Sequence, residues 1–393
     1  MEGGAIDFLR EARWLDAKRV RGYGVLIGIA SVGLLIVSWF QAMGPQGSDF
    51  LAFWGAGRAV LEAVPQAAYD LEWQARVQTG AGPSEWFAFV NPPPFLFVAA
   101  PFAALPYPLA WIAWNAATYA LWAWAAIKAF PRLWLLVLVF PGALIAAGHA
   151  QNGFLTGALL VGGVALLDRR PLIAGALLGA LVIKPHLALL VPFWLAAGGR
   201  WRAFAAAGAI ALGLLAMSWL AFGSATMIGY TSSWEASAAI MRFGDADFFL
   251  RMATPYSQIR IHGGETLAAG AAALLALAMI ALAMRGWRRF GQDGLASGAL
   301  VLAATAIASP YLFNYDLPFL ILPILWLVRE ALRHGFRPWE KTLLVALWLA
   351  PYATRAMALP LGLNLMPLAS AVLLWLVWTR GAASAQQGPS PTR

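Results

Sequence analysis

Of 393 residues, 61% are hydrophobic and only 11% charged, against roughly 25% charged in soluble domains, so most of the molecular surface is expected to face lipid. The absence of cysteine excludes disulfides, thiolate metal sites and redox chemistry on sulfur. A net charge of +9 does not point to nucleic acid, because the basic residues lie in short clusters between apolar runs, not in one domain.

Residues 1–22 carry Arg10, Arg13, Lys18, Arg19 and Arg21 ahead of the apolar run 23–42. That run has no small-x-small cleavage site and reads as a retained anchor with its N-terminus in the cytoplasm. A stretch around Phe8, Leu9, Ala12 and Leu15 is weakly amphipathic and suits either the inner leaflet or a solvated lead-in. Further crossings are predicted near 95–127, 133–147, 153–167, 171–184, 186–198, 203–222, 265–284, 295–309, 317–328, 342–357 and 361–379. The transmembrane domain then spans 23–380, with the segments 1–22 and 381–393 both inside. The predicted inner segments hold 20 of the 27 Lys and Arg and 8 of the 18 acids; the outer segments, together with Lys184, Arg355 and Glu265 at the outer ends of crossings, hold 7 and 10, as the positive-inside rule requires. The fold class is therefore an all-α polytopic membrane protein of about a dozen crossings, placed in a bacterial inner membrane. The polar stretch from Ala382 to Arg393 is predicted to be disordered.

Several predicted crossings are short for a bilayer core of roughly 30 Å, notably the pair flanking Lys184-Pro185-His186. Pro185 interrupts the helix, so the pair reads as a broken hairpin with its tip at the outer leaflet. The turns Ser309-Pro310-Tyr311 and Asn314-Tyr315-Asp316 fall on the same side. Two outer loops, 43–94 and 223–264, are longer than a connection needs.

Asp49, a few residues after the first crossing, is placed to accept a proton from a hydroxyl; equally, it is placed to pair with Arg58 or to cap the helix that follows. Lys184 next to the membrane core calls for a phosphate, or else snorkels to the interface, and His186 beside it suits either role. Gln151 and Asn152, in the turn His149 to Gly153, offer amides to sugar hydroxyls or phosphate oxygens, although turn chemistry alone also explains an Asn-Gly pair. Asn314 and Asp316 repeat that pattern, and Arg251 and Arg260 suit a phosphate as bidentate donors. No zinc spacing, phosphate loop or serine elbow is present, and the histidines at 149, 186, 262 and 334 are scattered, so neither a metal nor a cofactor is predicted. No inner segment is large enough to hold a nucleotide. An activated donor must therefore arrive through the bilayer, as a polyprenyl-phosphate sugar does.

One order of motifs runs along nearly the whole chain: Ser48-Asp49-Phe50, Ala68-Tyr69-Asp70, Asn91-Pro92-Pro93-Pro94-Phe95, the turn Gly148 to Asn152, Ala174-Gly175 through Gly179 to Lys184-Pro185, and Ser309-Pro310 with Asp316. In this order the chain resembles glycosyltransferase family 87, the polyprenyl-phosphate-mannose-dependent mannosyltransferases of the GT-C superfamily. The resemblance implies a GT-C-type transmembrane helix bundle with two long extracytoplasmic loops. It also implies a metal-independent active site facing the periplasm or exterior, and transfer of mannose with inversion to a glycolipid or glycan acceptor. Under it Asp49 becomes the general base. Lys184, His186, His149, Gln151, Asn152, Arg251 and Arg260 fall to the donor phosphate or sugar, and Asp70, Asn314 and Asp316 to the acceptor. The family's turn often reads Gly-Gln-x-Asn where this chain has Gly148-His149-Ala150-Gln151-Asn152, which leaves open whether His149 or Gln151 matches the glutamine. Two other classes share the pattern of broken helices and enclosed polar groups. They are a secondary transporter of a small solute, which should show a midplane site and repeated halves, and a non-catalytic polyprenyl-lipid-binding membrane protein.

Overall fold

The computed structural model describes residues 3–386, which form helices joined by short turns, with no strand among them. Residues 387–393 of the predicted inner tail, and Met1 and Glu2, lie outside the described residues. The helix Met366–Gln386 extends into the first residues of that tail. Four helices are long and apolar enough to cross a membrane alone, or six spans if each of two bent pairs counts as one. Six shorter apolar helices of 10–17 residues pack among them. The segment 95–127, expected as one crossing, is two helices that meet at 118° around Pro106.

At the N-terminus a helix Gly3–Glu11 precedes the first long helix, Ala17–Met43, whose N-terminal amide at Arg19 is capped by Asp16 at 2.8 Å. The short helix is tied to the start of a distant one, Glu340–Leu361. There the Trp339 amide donates to the Arg10 carbonyl (2.6 Å) and the Thr342 hydroxyl to that of Leu9 (2.6 Å). Ile6 and Phe8 stay exposed, the outward apolar face that a membrane surface would cover. At the same end Arg380 grips the buried carboxylate of Glu340 through two nitrogens (2.8 and 2.6 Å), locking the last two helices together.

Both long segments predicted as outer loops are folded. The first holds the helix Phe50–Leu61, a 3-10 turn Pro65–Tyr69 and the helix Leu71–Thr79. The second continues two crossings beyond sharp breaks. The helix Trp201–Phe243 is broken at Gly223 (φ 78°, ψ 168°), and Pro255–Arg289 at Gly264 (φ 81°, ψ 175°). These dihedrals belong to a region that only glycine enters readily, which is why the chain can change direction there without leaving the helical state on either side. The two glycines fall at the ends predicted for the crossings 203–222 and 265–284.

Small residues allow close packing where bulk would block it. In Gly175 and Gly179, one turn apart, an added Cβ would run into the carbonyls of Ala203 and Ala207, so the helix Pro171–Gly179 lies directly on Trp201–Phe243. Large aromatics fix the first of the two segments predicted as loops instead. Trp114 is fully buried, with Phe50, Phe53, Phe95 and Phe102 at ring separations of 5.2–6.0 Å. Each such pair contributes about 0.5–1.5 kcal/mol beyond burial of its area. The helix that starts with Phe50 is thereby pinned to the bundle. At the centre runs Gly294–Ala308, buried at every position except Leu295.

Candidate active site

A cavity of about 340 Å³ opens where Asp49, the turn at His149, and the turns at Arg251 and Tyr311 converge. Its size falls at the lower end of the range of small-molecule sites. Asn91, Gln151, Ser237, Asn314 and Arg355 add polar groups to its wall; Phe53, Phe87, Phe248, Phe313 and Tyr315 supply flat apolar surface.

Asp49 begins the helix Phe50–Leu61 but makes no side-chain cap, and Arg58 pairs with Glu62 at 2.8 Å. Both structural alternatives for Asp49 therefore fall away. Its carboxylate turns into the cavity, where Oδ2 accepts from Gln151 Nε2 at 3.1 Å and lies 3.5 Å from His149 Nδ1. Oδ1 accepts nothing among the described residues and stays open to the cavity. The backbone beneath is held by Ser48, whose hydroxyl bonds that of Tyr107 at 3.1 Å, and Tyr107 in turn donates to the Ala42 carbonyl. Burial works to raise the pKa of Asp49; the His149 ring, the Gln151 amide and Lys184 together outweigh it and hold the carboxyl below its ordinary value.

The helix Gly142–His149 ends with Ala150 in the left-handed conformation (φ 48°, ψ 39°), uncommon for a residue with a Cβ. This reversal sends Gln151 toward Asp49 while Asn152 turns inward. Gly153 follows because a Cβ there would collide with the Tyr315 carbonyl, so the turn sits directly on the 3-10 helix Asn314–Leu320.

Lys184 is not part of the cavity wall. It is buried between two helical fragments and donates to Asp316 Oδ1 and to Asn152 Oδ1 (2.8 Å). Asp316, fully buried, also accepts the Phe313 amide at 3.1 Å. The group predicted for a phosphate and the group predicted for an acceptor are thus paired with each other. His186 packs edge-on against Tyr311 at 5.7 Å, behind the cavity. Asp70 is exposed and caps the helix Leu71–Thr79 through the amides of Glu72 and Trp73. Arg260 donates to the Arg242 carbonyl at 2.9 Å and covers the Phe249 ring. Of the predicted residues, Asp49, His149, Gln151, Arg251 and Asn314 meet at the cavity; Asn152, Lys184 and Asp316 form a buried layer behind it; Asp70, His186 and Arg260 do not line it.

Asn314 reaches the wall while its amide is committed elsewhere. Nδ2 donates to the Pro351 carbonyl (2.8 Å) and the Thr354 hydroxyl (3.0 Å), and Oδ1 accepts from Asn364 Nδ2 at 3.1 Å. Asn364 also donates to the carbonyls of Leu250 and Met252. A short antiparallel bridge between Met252 and Phe313, with the Ala253 amide on the Leu312 carbonyl at 2.7 Å, joins the same loops. This buried network ties together the segments that bring Arg251 and Arg355 to the cavity. Sequence reasoning missed Arg355, although a lone cation inside the apolar run 342–357 was a usable signal. Asn364 gave none, because its partners lie 50 to 114 residues away.

The arrangement brings a carboxylate with one free oxygen, two guanidinium groups and several aromatic rings to the lining of one cavity: the equipment for taking a proton and for holding an anion. No curated protein and no solved structure matches the chain. The model of the family described as glycosyltransferase family 87 matches residues 89–310. The matched span includes the turn at His149, Lys184 and Arg251, whereas Asp49, Asp316 and Arg355 lie outside it. Because the match covers more than half of the chain, this membrane protein belongs to glycosyltransferase family 87.

Proposed function

We propose that this glycosyltransferase moves a sugar, with mannose as the leading candidate, from a polyprenyl-phosphate donor to a hydroxyl of a glycolipid or glycan acceptor, inverting the anomeric carbon. The observation that carries the reading is the open oxygen of Asp49 facing the cavity that Arg251 also enters. In the reaction the acceptor oxygen attacks the anomeric carbon while its proton passes to Asp49 Oδ1. The bond from that carbon to the phosphate oxygen breaks, and its electron pair stays on the phosphate, next to Arg251. Gln151 and His149 hold the other carboxylate oxygen and so aim the free one. Phe313 and Tyr315, stacked at 5.0 Å, present faces suited to a sugar ring or an isoprene. Lys184, paired with Asp316, contributes its field to Asp49 instead of direct contact with the donor. The reading puts the cavity end of the bundle outside a bacterial inner membrane and both termini inside, which the excess of Lys and Arg in the predicted inner segments supports.

The test uses purified protein in nanodiscs with a short-chain polyprenyl-phosphate-mannose and a membrane lipid extract. Release of polyprenyl phosphate should match formation of a mannosylated lipid, with the anomeric configuration opposite to that of the donor. A folded protein that turns over none of several donor sugars would refute the reading, and solute uptake into proteoliposomes by the same preparation would replace it with transport.

The acid side of the rate profile offers a second check. Activity requires ionised Asp49 and is lost as pH falls through its pKa, which lies below the ordinary carboxylate value. In His149→Ala a lowering influence is gone while burial remains, so the acid limb of kcat/KM should move to higher pH. An unmoved limb would mean that His149 does not act on Asp49.

A further inference from the structure

The cavity wall carries two cations, Arg251 and Arg355, and neither takes part in an ion pair among the described residues. Arg251 is exposed and Arg355 half-buried, whereas the two fully buried cations are matched: Lys184 has Asp316, and Arg380 has Glu340. Arg251 and Arg355 come from separate elements and lie close enough to repel each other. The amides of Asn314 and Asn364 hold their supporting segments together against that repulsion. Arg355 sits more than one turn before the end of Glu340–Leu361, beyond the reach of the favourable end of the helix dipole. Two like charges lining one cavity, with no carboxylate partner among the described residues, are suited to an anion that arrives with the substrate.

The chemistry of the donor supplies a reason for two. A sugar joined to a polyprenyl phosphate is a phosphodiester with one negative charge. When the bond to the anomeric carbon breaks, the electron pair left on oxygen makes a monoester, whose charge near neutral pH is about −1.5 to −2. We propose that Arg251 and Arg355 form one two-cation subsite for the leaving phosphate, with Arg355 serving the second charge, the one created as the glycosyl bond breaks. The inference rests on the glycosyl-transfer reading. A group that meets charge present only late in the reaction raises kcat more than it tightens donor binding. Arg355 therefore becomes a residue of the reaction coordinate, not merely of lipid capture.

The experiment compares binding of two non-reacting probes at pH 8, a short-chain polyprenyl monophosphate and its methyl ester, which carry about two charges and one respectively. Wild type should prefer the monophosphate. Arg355→Gln should lose about tenfold or more of monophosphate affinity with less than about threefold change for the methyl ester, and its kcat should fall by roughly a hundredfold at similar KM. Arg355→Lys should keep most of the preference, and its unfolding midpoint should match wild type, separating loss of charge from loss of fold. Equal weakening of both probes in Arg355→Gln, or an undiminished preference for the monophosphate, would overturn the assignment. Failure of the glycosyl-transfer reading would look different, since wild type itself would then turn over no donor.

Discussion

Asp49→Asn is expected to lower kcat by about a hundredfold to ten-thousandfold while leaving donor affinity within a few-fold of wild type. The substitution keeps the shape and, with its amide oxygen toward Gln151, keeps a partner for the Gln151 donor. It removes the ability to take a proton at the position of Oδ1. Because that oxygen has no protein partner, its loss frees no buried donor, and the unfolding midpoint should change little. Initial rates by mass detection of product, together with direct binding of the donor, would separate the two effects. A variant retaining more than a tenth of wild-type kcat would remove Asp49 from the role of base.

The second large effect concerns Lys184. Lys184→Ala would leave Asp316 as a fully buried carboxylate with only the Phe313 amide to satisfy it, and Asn152 Oδ1 without its donor. Breaking a buried pair from one side typically costs about 3–5 kcal/mol, whereas replacing both partners by apolar groups is often nearly neutral. The single variant should therefore show a much lower unfolding midpoint in nanodiscs, and Lys184→Met combined with Asp316→Leu should recover most of it. Activity in the double variant should stay reduced, since the field of Lys184 at Asp49 is gone. If Lys184→Ala keeps the wild-type midpoint but loses affinity for a polyprenyl monophosphate, the lysine is reaching the donor and the pairing account fails.

That residue also shows where sequence reasoning stops. A lysine next to the membrane core demands an anion, and the sequence raised the demand correctly without naming what meets it. The partner is Asp316, 132 residues away, brought in by packing of the Gln151-Asn152-Gly153 turn against the 314–320 segment. Asp49 was more legible, because its position after the first crossing and its aromatic neighbours are local. The all-α architecture followed from composition and run lengths, and the ends of two crossings were visible as glycines. The helices of the outer segments were less so: 224–243 reads as a mixed polar stretch whose helicity depends on continuing an existing crossing beyond Gly223. Arg355 lay hidden within a run classified by its average hydropathy, where one cation changes little.

The enclosed position of Gly294–Ala308 bears on how the molecule is made. At 15 residues it falls short of the roughly 20 that a free-standing span needs, and at all but one position it meets protein. One of its neighbours in the finished bundle, Met366–Gln386, has yet to be synthesised when it emerges. The segment must wait in a partial bundle until later helices arrive. Because the same segment leads directly into the turn at Tyr311, and Arg355 of the cavity lining lies later still, the cavity is completed only after most of the chain has been made.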